Sequence, residues 1–461
     1  MAKILCITSG LSGILNASFE LVSRLEALGH EVVSASPQPI SEKVKAQGFE
    51  YLQLDHINFD PAPSVPVFNG SQKKLKRLVH KIRYVKKRRK QAITNLGMDQ
   101  FLEKMKACKP EMVIADIELH EYIMTLVASE FNVLLLSQWF STLDSEGLPP
   151  IQSTIVPGQG FSGSKLGIQL HWLKVKYQRW TIFFKKKLTS VYTDRRSVLQ
   201  SYANIVGFPK RHIRKNYWPG PFSYEHLPLV HMTAENVEFE HEKNDQTNYL
   251  GPMVYEQRKD SGISKEVFDQ LEVVYKDKIE KGKQLIYCSV STFKAGDATF
   301  LKKVIAAVES LVHCNLIISL GGKLKRDQFK NLPANVFAFE KVPQLKVLKN
   351  ADLSINHGGI HTINECIHFG VPMLVYSGKR SDQNGCAARL HYHGIGISAN
   401  KDIDSPEQIK TKISDILASD EVKSRLAEVS NLYPKGDTKK LKEVLESLGV
   451  NSSTVLNHDD E

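Results

Sequence analysis

Residues 342–396 read VPQLKVLKNADLSINHGGIHTINECIHFGVPMLVYSGKRSDQNGCAARLHYHGIG. Leu353-Ser354-Ile355-Asn356 is a short apolar run of the kind buried inside a parallel sheet, and His357-Gly358-Gly359 breaks it before a helical pattern that begins at Ile360. A helix entered straight after two glycines presents unpaired first-turn N–H groups and the positive end of its dipole to whatever lies in front of it. A diphosphate suits that place. His357 can donate to a phosphate oxygen, Gly358 and Gly359 form the entry, and Thr362 adds a hydroxyl. Glu365, one turn beyond Thr362, aims a carboxylate where the paired hydroxyls of a ribose can donate. The competing reading is an ordinary strand-to-helix unit whose glycines serve packing and whose Glu365 is solvated.

The pattern around this stretch repeats. Buried strands are expected at 284–290, 316–320, 336–339, 353–356 and 373–376, separated by helices such as 299–312 and 360–368. The N-terminal half follows the same logic, with strands at 3–8, 31–35, 112–115 and 133–137 and a helix at 16–28. Such alternation predicts α/β domains built on parallel sheets with helices on both faces. A chain of 461 residues with 42% hydrophobic content suits two domains of roughly 200 residues each. The expected division is 1–252, a polar linker at 253–282, a second domain at 283–450 and a disordered tail at 451–461.

The segment 342–396 resembles the donor-binding signature of the UDP-glycosyltransferases. That pattern runs Trp-x-Pro-Gln, then His-x-Gly, Ser or Thr, Glu, Gly-Val-Pro, and an acid followed by Gln. The matches are Pro343-Gln344, His357 and Gly359, Thr362, Glu365, Gly370-Val371-Pro372 and Asp382-Gln383. The resemblance implies a GT-B architecture, two Rossmann-like doubly wound domains facing a cleft, and a UDP-sugar as donor with no metal or other cofactor. It assigns Gln344 to the nucleoside, His357, Gly359 and Thr362 to the diphosphate, Glu365 to the ribose, and Asp382 with Gln383 to the transferred sugar. Two further loops join the donor site by the same resemblance, Ser291-Thr292 where the family commonly has Ser-x-Gly-Ser or Thr, and Gly321 at a strand end.

Three positions depart from the pattern. The family's base-stacking Trp is Lys341, the Trp that often follows His-x-Gly is Ile360, and the interval from Gly-Val-Pro to Asp-Gln is one residue longer. A fourth departure touches the chemistry itself. An alcohol is a poor nucleophile at neutral pH and needs a base. The family supplies a His after the first strand, and the matching position, counted back from Gly29-His30, is Ile14. Asp116 matches the family's orienting Asp, and Glu118 and His120 follow it. Three explanations stand: Asp116 or His120 acts as the base, the acceptor is already anionic, or the protein binds a sugar nucleotide without transferring it. A sugar-nucleotide epimerase shares the architecture but not the signature.

Residues 140–150, FSTLDSEGLPP, look like the corresponding segment of carotenoid (zeaxanthin-type) glucosyltransferases, which implies a hydrophobic small-molecule or lipid acceptor. Charge favours the same class. From Lys73 to Lys90 there are eleven Lys and Arg and no acid, equal to the whole net charge of +11. Leu75, Leu78, Val79, Ile82 and Val85 recur there at helical spacing, the pattern of a helix lying on an anionic membrane surface. A second acid-free stretch, 147–193, interleaves Trp172, Tyr177, Trp180, Phe183 and Phe184 with lysines. No nucleic-acid motif accompanies the charge, so a nucleic-acid partner is not expected. The six scattered cysteines fit reduced thiols and a cytoplasmic protein, placed by its basic stretch at the inner membrane face.

Overall fold

The computed structural model describes residues 1–55, 79, 83–84, 87, 90–91, 93–94, 96–189, 194–214, 220, 222–242, 247–289, 298–321, 324–378 and 382–451. Ser291, Thr292, most of the basic stretch between Lys73 and Lys90, and the tail beyond 451 lie outside the described residues.

Fifteen strands are described. The N-terminal half carries β1 (Lys3–Ile7), β2 (Glu31–Ser36), β3 (Glu50–Gln53), β4 (Met112–Asp116) and β5 (Val133–Ser137). An antiparallel pair, β6 (Ile213–Arg214) and β7 (Ser223–Tyr224), precedes β8 (Leu229–His231) and β9 (Thr247–Tyr249). The C-terminal half carries β10 (Gln284–Ser289), β11 (Cys314–Ser319), β12 (Val336–Phe339), β13 (Leu353–Asn356), β14 (Met373–Tyr376) and β15 (Gly396–Ala399). They form two parallel sheets, ordered β3-β2-β1-β4-β5-β8-β9 and β12-β11-β10-β13-β14-β15. Helices cover both faces of each sheet, and so strands such as MVIAD and VLLLS are buried at every residue instead of alternating.

In each sheet the strand order reverses once, between β1 and β4 and between β10 and β13. Open α/β sheets bind ligands at such switch points, beyond the carboxyl ends of the strands. Here the ends of β1 and β4 face the ends of β10 and β13 across one cleft, lined by Gly13, Ile14 and Glu118 on one wall and by Ser289, His357 and Glu365 on the other.

The chain divides differently from the expected cuts at 253–282 and 450. The stretch expected to link the domains forms helix Lys265–Lys281, which buries Leu271, Val274 and Tyr275 and ties Lys278 to both oxygens of Asp352, at 2.8 and 2.7 Å. It packs on the second sheet, where Asp277 also accepts from Asn315 of β11 at 3.4 Å. The helix Lys439–Ser447, by contrast, returns to the first domain. Its Leu441, Val444 and Leu445 join Ile4, Cys6 and Ile114 in one core, and Leu448 O accepts from Asn132 Nδ2 at 3.1 Å. All six cysteines are free thiols, five of them buried. No helix among the described residues is long and apolar enough to cross a membrane.

The two domains are joined through a buried ion pair. Arg389, on helix Gln383–Tyr392, is fully buried and donates from Nε to Glu238 Oε1 at 2.7 Å and from Nη1 to Gly385 O at 3.1 Å. The guanidinium lies over Phe239 and Phe140, at 4.4 and 4.8 Å from their ring centres. Removing one member leaves the other charge buried and unpaired, so Arg389→Met is expected to lower unfolding free energy by about 3–5 kcal/mol. Urea denaturation checks this against Glu421→Gln, which breaks the exposed pair with Arg425 and should leave the midpoint in place.

Candidate donor and acceptor cleft

The donor wall is built by two backbone turns. β13 ends at Asn356, whose Oδ1 accepts from Gly358 N at 2.8 Å and turns the chain toward helix Ile360–Phe369. Gly358 has φ +81°, and a Cβ there would lie 2.9 Å from Val375 Cγ1 and 3.0 Å from Gln383 O, so glycine is required both for its conformation and for space. Asp382 Oδ2 accepts from Ile360 N at 3.0 Å and thus takes one of the first-turn donors itself. The remaining donors of that turn and the neighbouring side chains are what an anion would meet.

His357, Gly359, Thr362, Glu365, Asp382, Gln383 and Gln344 all line a cleft of about 680 Å³. Gln344 also lines an adjoining hollow of about 1150 Å³, together with Gly321 and Lys341, so the nucleoside and diphosphate positions expected from sequence fall along one continuous groove. Lys341 donates from its ammonium to Ser261 O at 2.5 Å, and both residues line the hollow. Gly358 supports the turn from behind. Two polar atoms on this wall, His357 Nδ1 and Ser289 Oγ, are buried without hydrogen-bond partners. Orphaned buried groups are costly in a packed protein, so each calls for a partner that the described residues do not supply.

Glu365 is already held. Arg258 Nη1 donates to its Oε1 at 3.3 Å and Gln344 Nε2 to its Oε2, while Tyr287 Oη donates to Gln344 Oε1 at 3.2 Å. Burial raises the pKa of Glu365 and these partners oppose the rise. Burial also holds His357 and His361 at about 4, so both are neutral near pH 7. His357 can therefore donate a hydrogen bond but carries no charge.

The acceptor wall differs from expectation at His120. His120 is wholly buried, with Nδ1 bonded to Tyr224 Oη at 2.8 Å and Nε2 to Gly220 O at 3.2 Å, and burial lowers its pKa to about 3. It packs beneath Phe222 and Tyr224 and does not reach the cleft. Asp116 is also fully buried, accepting from Ser9 N and Glu118 N, each at 3.1 Å. It organises the ends of β1 and β4 from behind. The carboxylate that lines the cleft is Glu118. Its backbone is fixed by Asp116, and burial, with Asp116 and Asp382 nearby, pushes its pKa up to about 7 against the opposing charge of Arg195. The sequence signal was its place two residues past the end of β4. Arg258, Gln138 and His361 also line the cleft and were not singled out from sequence. His361 Nε2 meets Gln138 Oε1 at 2.7 Å across the two walls.

Residues 302–437 match the erythromycin biosynthesis protein CIII-like C-terminal domain. The chain is 29% identical over 153 residues to the uncharacterized UDP-glucosyltransferase YdhE of Bacillus subtilis, covering 33% of this chain and 38% of that protein. Against the zeaxanthin glucosyltransferase of Pantoea ananas it is 25% identical over 177 residues, 38% of this chain and 40% of the relative. The chain thus spans less than half the length of these curated relatives. The sequence similarity to these proteins named as glucosyltransferases is confined to that part of the chain. The chain's GT-B fold is shared with the glycotransferase of kitacinnamycin at TM-score 0.67 and 16% identity, over 97% of this chain and 98% of the other. The calicheamicin glycosyltransferase CalG4 aligns at TM-score 0.60 and 16% identity, over 97% and 98%.

Ile14, at the position where the sequence resemblance leads one to expect a base, contributes only an aliphatic surface to the cleft. A Cβ on the preceding Gly13 would lie 2.4 Å from His361 Cδ2, so the first helix is packed against an imidazole from the opposite domain. On the donor wall, His357→Ala and Glu365→Ala are each expected to weaken UDP binding by about tenfold, the worth of one hydrogen bond to a charged group. Calorimetric titration of folded variants tests this, and unchanged affinity in both would remove these residues from the nucleotide site.

Proposed function

We propose that the chain transfers a sugar from a UDP-sugar to a hydrophobic or amphipathic alcohol, lipid-like or natural-product-like, with inversion at the anomeric carbon. The observation that carries this reading is the cleft between the two switch points, where orphaned polar atoms and a fixed Glu365 line one wall and the carboxylate of Glu118 lines the other. The names of the similar proteins, which refer to zeaxanthin, kitacinnamycin and calicheamicin, support an acceptor of natural-product type.

In this mechanism Glu118 takes the proton from the acceptor hydroxyl. The acceptor oxygen forms its bond to the anomeric carbon as the bond from that carbon to the diphosphate oxygen breaks, and UDP leaves with the electron pair. The donor wall stabilises the charge that develops on the diphosphate through neutral hydrogen-bond donors and backbone N–H groups. Asp116 is a positioning residue that fixes the Glu118 backbone. A base with a pKa near 7 is matched to its task, being ionised when needed and still basic enough to take a proton.

Release of UDP from a panel of UDP- and dTDP-sugars, with and without a mixed lipid extract, tests the transferase reading. Acceptor-dependent release is expected. The sign of its pH dependence follows from Glu118, which must be ionised to act, so the rate should rise with pH through about 7 and level off above it. Glu118→Gln should lower kcat by about 10²- to 10⁴-fold and abolish that inflection, with UDP affinity unchanged. A variant with the wild-type rate and pH profile would exclude Glu118 as the base. UDP binding without release from any donor would favour a sugar-nucleotide-binding protein instead.

A further inference from the structure

The buried residues of helix Lys165–Thr189 lie near its start, and farther along it is held by the Lys176–Asp144 pair and by Arg196 over the Phe183 ring at 4.5 Å. Gly167, Ile168 and Trp172 are its buried residues, and Trp172 Nε1 donates to Leu148 O at 2.7 Å. Beyond Trp172 no residue of the helix is buried. Leu166, Leu170, Leu173, Tyr177, Trp180 and Phe184 follow one another at spacings of four and three, which puts them on one face of a helix with 3.6 residues per turn. That face points away from the protein, with Leu173 at 61%, Tyr177 at 66% and Trp180 at 54% of full exposure. Trp180 stacks on Phe184 and Tyr177, at centroid distances of 5.4 and 6.4 Å, so the aromatic rings form a continuous outward ridge.

The same periodicity places Lys174 and Lys185 along one border of the ridge and Lys165 and Lys176 along the other. Lys165 pairs with Glu146 and Lys176 with Asp144, both from the preceding loop, and the helix itself carries no acid. An apolar ridge bordered by lysines is the arrangement of a helix lying in a lipid interface, rings at headgroup level and ammonium groups reaching phosphates. A two-fold contact with a second copy would instead bring identical rows of lysine together, which like-charge repulsion disfavours.

We propose that this face of helix Lys165–Thr189 docks the protein on an anionic lipid surface. The docking is independent of the transferase reading, since it needs neither donor nor turnover. The link between the two is spatial. The helix is anchored through Leu148, and the same segment reaches the opposite domain at Gln152, whose carbonyl accepts from Asn384 Nδ2 at 2.9 Å.

Co-sedimentation of the full chain with vesicles tests the proposal, using phosphatidylcholine alone and phosphatidylcholine mixed with phosphatidylglycerol, at low and high salt. Binding to the anionic vesicles at low salt is expected. The triple variant Tyr177→Ser, Trp180→Ser, Phe184→Ser should weaken it by about tenfold or more with an unchanged melting profile, because these side chains are already in water. Lys174→Glu with Lys185→Glu should weaken it by about tenfold as well, through charge. Wild-type protein that ignores anionic vesicles would overturn the proposal. So would a triple variant that binds like wild type while neutralising Lys87 and Lys90 abolishes binding, which would assign the surface to the other basic stretch. A wild-type dimer that the triple variant converts to monomer would overturn it in favour of a second copy.

Discussion

The buried contact between Arg389 and Glu238 sets how the two sheets face each other. Neither charge is stable alone in an apolar interior, so each is held only where the other is. Glu238 also accepts from Ser141 N at 2.8 Å and Phe239 N at 2.9 Å, which draws the segment after β5 into the same point. Around it, Asn364 donates to Met232 O and Asn384 to Gln152 O, so helices Ile360–Phe369 and Gln383–Tyr392 are both tied to the first domain. These are the helices whose N-terminal ends carry the donor wall. The alignment of that wall with Glu118 is therefore a consequence of polar groups that find partners only across the domain boundary.

The parallel-sheet architecture was legible because it is written locally. Each buried strand is a short apolar run and each helix entry carries a glycine or a change of period, and β5, β12, β13 and β14 lie where those patterns put them. That seven residues expected at a donor site line one cleft has a related reason, since they fall within one stretch of about forty residues whose spacing is itself informative. What sequence could not give was anything decided across the fold. His120 is removed from the cleft by Tyr224 and Gly220, about a hundred residues away in the chain. Glu118 is brought near pH 7 by burial and by Asp382 from the other domain. Helix Lys439–Ser447 reads as a plain amphipathic helix, and nothing local says which sheet it covers.

Electrostatically the donor wall is restrained. His357 and His361 are neutral, Asp382 is spent on a backbone N–H, and Glu365 is shared between Arg258 and Gln344. A carboxylate fixed in this way needs no reorientation when hydroxyls arrive, so its ordering cost is met at folding and not at binding. Among the described residues lining the 680 Å³ cleft, Arg258 is the one full positive charge, and it also meets Asp260 at 3.2 Å, which moderates its pull on an incoming anion.

The return of helix Lys439–Ser447 to the first sheet has a consequence for biogenesis. During synthesis the N-terminal sheet emerges first, but Ile4, Cys6 and Ile114 lack part of their cover until helix Lys439–Ser447 has been made. The cover of the first core is therefore completed only after the second domain has been synthesised. Arg24 Nη1, which donates to Asp437 O at 2.9 Å, waits for a partner more than four hundred residues downstream. Folding one domain at a time, as long chains often do, would leave that apolar face of the first core open until late in translation.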